Sequence, residues 1–307
     1  MTATNGKPAT VAVVGLGAMG MPMARRLVSA GYSVVAVDPD PEARARADGA
    51  DMRSSETLVP IGEGGIVLLL VATGDQFFDV VRSRTAGARA DRETWVICST
   101  VGPRAARDAG QMLTAAGAAV IDAPLTGGVP GAEDGTLRFL AAGEPAALAA
   151  LADLLSVLGE VIVVGDRPGD GQATKLVNQL CSSTHLVVAA EAIAFATHLG
   201  LDPVKTVSVI SGGSGSSWFL DERGPRMAEL GAEPEVLTRL AILAKDSGLV
   251  EEEADATGAH VPLLKAARQH YQRAAELGLL NADDSQTLAS LQTRLSARGR
   301  AGISYDL

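Results

Sequence analysis

The chain has 307 residues, a length that predicts about two domains. Apolar residues make up 47% and charged residues 20% of it, proportions typical of a globular protein with a large core. The formal charge of −10 disfavours nucleic acid and anionic membrane surfaces as partners, because like charges repel. Two cysteines cannot form a secreted disulfide framework, and the start MTATNGKPAT lacks the apolar region of a signal peptide. We therefore expect a cytoplasmic protein.

Behind a flexible N-terminus over residues 1–10, short β-branched runs alternate with segments of helical periodicity up to residue 168. Such alternation with continuously apolar strands predicts an α/β domain with a parallel sheet covered on both faces. The predicted helices include Met21–Ala30, Pro41–Ala47 and Pro103–Ala116. The predicted strands are Val11–Val14, Ser33–Val37, Ile66–Val71, Thr94–Cys98, Ala119–Asp122, Leu137–Ala141 and Val161–Val164.

The pattern changes after Gly165, where Asp166–Gly171 is typical of a linker and residues 169–307 are predicted to form an all-α domain. Ala173–Leu199 lacks proline and glycine and predicts one helix about 40 Å long. Its second half is apolar on nearly every side, more than one small domain can bury, so we expect part of it to pack against a second subunit. Further helices are predicted at Pro203–Ile210, Pro234–Ala256, Pro262–Leu277 and Asp283–Arg298.

The stretch VAVVGLGAMG follows the first predicted strand and opens the first helix. In a dinucleotide-binding loop, Gly15 would permit the tight turn, Gly17 the approach of the pyrophosphate, and Gly20 the packing of helix on strand. The helix N-terminus would supply N–H groups and a positive dipole end. The pattern alone also fits an ordinary glycine-rich loop.

Asp38 ends the second predicted strand, where a carboxylate binds the ribose hydroxyls of NAD in such domains. The alternative is a helix cap before the prolines that follow. Because Asp40 is nearby and no arginine directly follows Asp38, the site would repel a 2′-phosphate, and NAD is predicted in preference to NADP.

Polar residues also follow two later strands. Thr100 lies at the carboxyl end of its strand, where ligands of open α/β sheets bind. In Asp122–Gly131, the hydroxyl of Thr126 followed by the amides of Gly127 and Gly128 predicts a cradle for a carboxylate. The alternative is simply a glycine-rich loop.

Near the start of the long helix, Lys175, Asn178 and Ser182 are spaced i, i+3 and i+7 and share one face. Such a lysine can be a surface residue with a buried stem, but the adjacent amide suggests a shared polar pocket. The helix dipole and desolvation both disfavour a charged ammonium there. This suits a group that alternates between general base and general acid.

The sequence resembles the β-hydroxyacid dehydrogenase family over nearly its whole length. The resemblance is carried by the order and spacing of four motifs, which are Gly15–Gly20, Asp122–Gly128, Gly169–Gln179 and Lys245-Asp246. The resemblance implies a Rossmann domain followed by an all-α C-terminal domain whose long helix forms a dimer interface. It implies that Lys175 is the catalytic acid/base and Asn178 orients the substrate, while Thr126, Gly127 and Gly128 bind the substrate carboxylate. The cofactor-binding residues would be Gly15, Leu16, Gly17, Ala18, Met19, Gly20, Asp38, Leu70, Val71, Thr100 and Lys245.

The sequence departs from the usual family pattern at four places. Thr126 stands where serine is usual, Gln179 replaces a second asparagine, Ser247 replaces a leucine, and Val71 occupies a place often held by proline. None of these changes removes a catalytic group, but all leave the identity of the substrate open.

Within the family the sequence is similar in particular to the L-threonate dehydrogenase branch, through Gly215–Arg223, Lys245–Val250 and Asp283–Ser285. Ser217 and Trp218 would then form one wall of a pocket for a polyhydroxy acid. The alternative is that Trp218 belongs to the core and the serines cap a helix.

The resemblance favours an NAD-dependent dehydrogenase of a small hydroxy acid such as L-threonate or 3-hydroxyisobutyrate. A reductase of a tartronate-semialdehyde type of aldehyde acid is an alternative because the reaction is reversible. Imine reductases on the same scaffold typically lack the lysine found here as Lys175, and a non-catalytic dinucleotide-binding module would need neither Lys175 nor Asn178. The four histidines lack metal-ligand spacing, so no metal is predicted.

Overall fold

The computed structural model describes residues 10–62, 64–86, 90, 92–229 and 235–291. The chain forms two compact units, one ending at Lys175 and the other beginning at Leu176. The division therefore falls within the long helix. The domain limits predicted from the sequence, 11–168 and 169–307, stay a prediction.

The strands of the first unit form one sheet. They are β1 (Thr10–Val14), β2 (Ser33–Val37), β3 (Arg53–Ser55), β4 (Ile66–Leu69), β5 (Thr94–Ile97), β6 (Ala119–Asp122), β7 (Leu125–Thr126), β8 (Leu137–Ala142) and β9 (Gly159–Gly165). Their order is β3-β2-β1-β4-β5-β6-β8-β7, with β9 beside β8. Strands β1 to β6 pair in parallel, which confirms the predicted Rossmann-type sheet. The antiparallel pairing of β8 with β6 and with β7 was not predicted.

Helices connect the strands of the first unit and make up most of the second. In the first unit they are α1 (Gly20–Ser29), α2 (Pro41–Asp48), α3 (Gly74–Thr85), α4 (Pro103–Ala115), α5 (Gly128–Asp134) and α6 (Pro145–Ser156). From there on they are α7 (Asp170–His198), α8 (Pro203–Ile210), α9 (Trp218–Ala228), α10 (Leu240–Thr257) and α11 (Pro262–Glu276), followed by 3₁₀ turns at Leu279–Asn281 and Asp284–Gln286. Several begin at a proline, whose fixed φ suits the first helical position.

The central strands β1, β4 and β5 are buried on both faces, as continuously apolar strands require. Val11 and Val13 of β1 pack on one face in the core that contains Leu27 of α1. Ala12 and Val14 pack on the other face in the core that contains Phe77 of α3. The alternation follows from the two-residue period of a strand.

Five sequence predictions need correction. Strands β3 and β7 were not predicted, because runs of three and two residues carry no periodic signal. The predicted linker Asp166–Gly171 extends too far, since α7 already begins at Asp170. Helix α10 begins at Leu240, because the N–H groups of Leu237 and Thr238 instead donate to the Asp283 carboxylate.

The other two corrections concern the C-terminal domain. Helix α9 was not among the predicted helices, although the alternative for the serines had them cap a helix, and its sequence contains Pro225, which is uncommon within a helix. The predicted helix Asp283–Arg298 starts with a 3₁₀ turn at Asp284–Gln286, and its part beyond residue 291 lies outside the described residues.

Helix α7 supplies one face of the core of the second unit, through residues such as Leu186, Ala190 and Ile193. Its opposite side exposes large apolar side chains: Val177 is 65% exposed and Phe195 is 65% exposed. By length and composition α7 could cross a membrane, although 39% of its most apolar window is buried within the protein and the core helix of a globular protein passes the same test.

Candidate active site

The glycine-rich loop lies where the strand order reverses. Strand β1 pairs with β2 on one side and with β4 on the other, so the carboxyl ends of β1 and β4 flank a crevice typical of ligand binding. Gly15 has φ +97°, and a Cβ there would lie 2.4 Å from the Leu70 carbonyl oxygen. A Cβ on Gly20 would lie 1.8 Å from the Gly15 oxygen. The turn and the close packing therefore both require glycine.

Gly17 is different, because a Cβ there would meet nothing within 4 Å. Packing within the chain does not explain this glycine, whereas the approach of a ligand would. Helix α1 behind it has no side-chain cap and no acidic residue in its first turn. Its N-terminus can therefore receive an anion without competition, and the loop fits the pyrophosphate of a dinucleotide.

Asp38 directly follows β2 and is fixed by two backbone groups. The Leu16 N–H donates to its Oδ2 at 2.7 Å, and the Asp40 N–H donates to its Oδ1 at 2.9 Å. The alternative of a helix cap does not hold for Asp38, since Asp40 is the residue that caps α2. A carboxylate held beside the glycine-rich loop can accept further hydrogen bonds from ribose hydroxyls.

Ser99 joins the carboxyl ends of β4 and β5. Its hydroxyl accepts a hydrogen bond from the Val71 N–H at 2.8 Å and donates to the Leu69 carbonyl at 3.1 Å. Val71 and Thr100 are therefore held at the same edge of the sheet as Gly15.

Two fully buried polar side chains, Asp122 and Gln172, connect this edge to the start of α7. The Asp122 carboxylate accepts the backbone N–H groups of Gly169 and Gln172, at 2.8 and 3.0 Å. It also accepts the Gln172 side-chain amide at 3.0 Å. Burial raises the pKa of Asp122, and these hydrogen bonds oppose the increase. The first turn of α7 is thus capped by a residue distant in sequence.

Gln172 also binds the loop after β5. Its Oε1 accepts the N–H groups of Val101 and Gly102, at 3.0 and 3.1 Å, and its Nε2 donates to the Ser99 carbonyl at 3.0 Å. Lys175 lies one turn further along α7 and is only 7% exposed. The structure therefore places the predicted catalytic lysine in the turn after this bridge.

In the second unit, two hydrogen bonds and an ion pair connect Asn178 with Lys245. The Asn178 amide donates to Gln179 Oε1 at 2.8 Å and to the Ser182 hydroxyl at 3.3 Å. The Gln179 amide donates to Asp246, whose other oxygen lies 3.0 Å from the Lys245 ammonium. The residue that departs from the family pattern, Gln179, is thus the link between the two predicted site residues.

The predicted carboxylate cradle lies in a tight turn of the first unit. Thr126 ends β7 beside Arg138 of β8, and Gly127 and Gly128 have φ of +123° and +65°. Glycine is required there because such angles are unfavourable for other residues. Their binding of a carboxylate stays a prediction.

Ser217 and Trp218 begin α9 in the second unit. The Ser217 hydroxyl accepts the Leu220 N–H at 3.1 Å and caps the helix, in agreement with the alternative for the serine. Trp218 is 48% exposed, so it is not a core residue, and the Arg223 guanidinium lies 5.2 Å from its ring centre. A role of both residues in substrate binding stays a prediction.

Sequence reasoning did not single out Gln172 or Asp122 as site residues, although both lie in the quoted motifs. The signal that could have pointed to Gln172 is a side chain able to make several hydrogen bonds within the glycine-rich start of a helix. Within the described residues, no three His, Cys, Asp or Glu side chains are grouped so that they could hold a metal ion.

Two family models together match most of the chain. The model for the NAD-binding domain of 6-phosphogluconate dehydrogenase matches residues 10–165. The model described as NAD-binding of NADP-dependent 3-hydroxyisobutyrate dehydrogenase matches residues 169–291.

Individual proteins agree with these matches. The chain is 31% identical to an L-threonate dehydrogenase of Cupriavidus necator, over 91% of this chain and 94% of that protein. The crystal structure of a 3-hydroxyisobutyrate dehydrogenase from Salmonella typhimurium superposes with a TM-score of 0.80 at 28% identity, covering 92% of this chain and 99% of the other. An imine reductase from Streptomyces aurantiacus, with a TM-score of 0.61 and 22% identity over 92% and 99% of the two chains, shares the fold alone.

Proposed function

The chain belongs to the β-hydroxyacid dehydrogenase family of oxidoreductases, and we propose that it is an NAD-dependent dehydrogenase of a small hydroxy acid such as L-threonate or 3-hydroxyisobutyrate. The observation that carries the proposal is Lys175. It is 7% exposed in the first turns of α7, and that helix is anchored at the carboxyl edge of the sheet. A lysine kept from solvent near the carboxyl ends of the strands is suited to proton transfer and not to solubility.

In this proposal Lys175 accepts the proton of the substrate hydroxyl and returns it in the reverse reaction. Asn178, one turn further along the same helix, orients that hydroxyl through its amide. Thr126, Gly127 and Gly128 hold the substrate carboxylate through the hydroxyl and backbone N–H groups. Ser217 and Trp218 line the part of the pocket that receives the remaining hydroxyl groups.

The Gly15–Gly20 loop, including Leu16, Ala18 and Met19, would hold the pyrophosphate of NAD, and Asp38 its ribose hydroxyls. Leu70, Val71, Thr100 and Lys245 would bind toward the nicotinamide. When bound, NAD supplies a hydride acceptor. The preference for NAD over NADP is supported by the Asp38 carboxylate, which would repel a 2′-phosphate.

Lys175 separates this proposal from only one of its two alternatives. An imine reductase would share the fold but typically lacks this lysine. An aldehyde-acid reductase would use the same residues in the opposite direction, because the acid that protonates an alkoxide is the base that deprotonates the alcohol.

We propose a homodimer or larger assembly in the cytoplasm, built on the outer side of α7. Val177, Val188, Phe195 and Leu199 are each more than half exposed there and recur along the helix. A second copy of the chain would cover this apolar strip.

A panel of hydroxy acids, including L-threonate, 3-hydroxyisobutyrate and glycerate, tests the function through NADH formation, with NADP as a parallel cofactor. The reverse arm uses tartronate semialdehyde with NADH, and a cyclic imine with NADH tests the imine-reductase alternative. Turnover of the imine, with none of any hydroxy acid, would contradict the proposal.

A further inference from the structure

We infer that Gln172 is a positioning residue that fixes the Lys175 turn of α7 against the loop Ser99–Gly102. The inference rests on the proposed role of Lys175. It concerns a residue that contacts neither substrate nor cofactor in the proposed function and acts only through its neighbours.

Every hydrogen-bonding group of the Gln172 side chain has a partner. A glutamine amide has two donor hydrogens and an acceptor oxygen with two lone pairs. In Gln172 all four are used, by the Ser99 carbonyl, the Asp122 carboxylate, and the N–H groups of Val101 and Gly102, at 3.0 to 3.1 Å. The side chain is 0% exposed, so water cannot replace these partners.

The partners of Gln172 lie on both sides of Thr100 and at the end of β6. The Ser99 carbonyl and the Val101 N–H lie on either side of Thr100 in the chain, so a single amide holds the backbone that flanks Thr100. The Asp122 carboxylate holds the other end of the bridge and accepts the backbone N–H of Gln172 itself. The loop after β5, the end of β6 and the first turn of α7 are therefore held by one side chain.

The position of Lys175 depends on the turn that Gln172 holds. It lies three residues after Gln172 on the same helix, so a shift of the first turn displaces the lysine with it. Catalytic groups are sensitive to such shifts, and a displacement of about 1 Å can cost about 100-fold in rate. An apolar side chain of similar length fills the space but makes none of the four hydrogen bonds.

The test compares Gln172→Met with the wild type and with Gln111→Met, which makes the same change on the exposed face of α4. We expect Gln172→Met to lower kcat for the best hydroxy acid of the panel by about 10- to 100-fold. The Kd for NADH, measured by fluorescence, should change by a smaller factor than kcat, because the glycine loop and Asp38 are untouched and only Thr100 among the proposed cofactor-binding residues lies in the released loop. Gln111→Met should behave as the wild type.

A double-variant cycle tests whether Gln172 acts through Lys175. In the Lys175→Ala background Gln172→Met should cause a much smaller loss of kcat than in the wild type, because the catalytic group it positions is gone. An additional loss of the same size would overturn the inference, as would a wild-type kcat for the single variant.

A readout without substrate or cofactor separates this inference from the proposed function. Acetylation of Lys175 by acetic anhydride, measured by mass spectrometry relative to the half-exposed Lys265, should rise at least about twofold in Gln172→Met, because the turn opens more often. An unchanged ratio would overturn the positioning role. If instead Lys175→Ala alone retained wild-type turnover, the proposed function would fail, while the acetylation ratio would still decide the role of Gln172.

Should Gln172→Met not fold, Asp122→Asn provides the second variant. It keeps the shape of the carboxylate but replaces one acceptor oxygen with a donor, so the bond from Gln172 Nε2 or those from the backbone of α7 must break. The same lowered kcat and increased acetylation are expected, and wild-type values for both would overturn the inference.

Discussion

The backbone N–H of Leu16 donates a 2.7 Å hydrogen bond to Oδ2 of Asp38, across 22 residues of sequence. The bond joins the loop that would hold the pyrophosphate to the carboxylate that would hold the ribose. The loop and the carboxylate therefore move together, and cofactor selection depends on both.

Asp38→Ala should weaken NAD binding by about tenfold or more, because charge-assisted hydrogen bonds contribute about 1.5–3 kcal/mol. The ratio of the Kd for NADP to that for NAD should fall, since the repulsion of the 2′-phosphate is removed. Fluorescence titrations with both reduced cofactors measure this. Asp48→Ala, an exposed change at the end of α2, is the control. An unchanged ratio would show that Asp38 does not face the ribose.

Lys175→Ala should lower kcat by about 10²–10⁴-fold, the usual contribution of one acid–base group. The Kd for NADH should change little, because the lysine is not part of the glycine loop. Lys265→Ala on α11 is the matched control. A variant that kept more than about a tenth of wild-type turnover would require another proton carrier. Combined with Asn178→Ala, the two losses should not add if both residues act on one hydroxyl.

Gln179→Glu should lower kcat and stability together. The new carboxylate would face Asp246 within hydrogen-bond distance, where Gln179 now donates an amide hydrogen, and two carboxylates so close cannot both ionise. The loss should be larger at pH 8 than at pH 5, because keeping the shared proton on the pair then costs more free energy. Thermal unfolding and kcat at pH 5 and 8 measure it, with the exposed Gln111→Glu of α4 as control. Equal behaviour at both pH values would contradict the role of Gln179 as a link.

Phe195→Asp should convert the assembly to a monomer. A charged side chain in the centre of an apolar interface remains unpaired, which is costly. Light scattering should give at least twice 31.4 kDa for the wild type and about that single mass for the variant. Thr197→Asp, an exposed change two residues away, controls for the added charge. A monomeric wild type at micromolar concentration would contradict the proposed interface.

The stability that Asp284 contributes to the second unit should fall as the pH rises from about 4.5 to 7. Burial raises the pKa of Asp284 to about 6, although the Arg223 guanidinium 2.8 Å away opposes the increase. The unfolded carboxyl has a pKa near about 3.9, so the contribution is fully present below that pH and is lost through about 6.

The neighbouring Asp283 behaves in the opposite way. Burial opposes the change, but hydrogen bonds led by those from Ser285 lower the pKa of Asp283, so its contribution is present above about pH 4 and constant in this window. The difference in Tm between wild type and Asp284→Asn should therefore fall from pH 4.5 to pH 7, and Asp255→Asn should show no such trend. A constant difference would show that Asp284 does not titrate there.

Much of the first unit follows from the sequence because its signals are local. The apolar runs of β1, β2, β4 and β5, and the glycines at 15, 17 and 20, depend on residues adjacent in the chain. The order of the motifs was also sufficient to identify the family. The short strand β7 has no such signal, because it is defined only by its pairing with β8.

The start of α7 was decided by the tertiary structure. A stretch with glycines at 165, 169 and 171 is locally typical of a linker, and only the Asp122 carboxylate, 47 residues before Gly169, turns its end into the first turn of a helix. The same applies to Gln172, which the sequence shows only as one polar residue among others. Its four partners come from two separate segments, the loop Ser99–Gly102 and the end of β6, and their burial makes each hydrogen bond costly to lose. The sequence by itself determined which chemical groups are present, whereas the packing of distant segments decided which of them hold Lys175 in place.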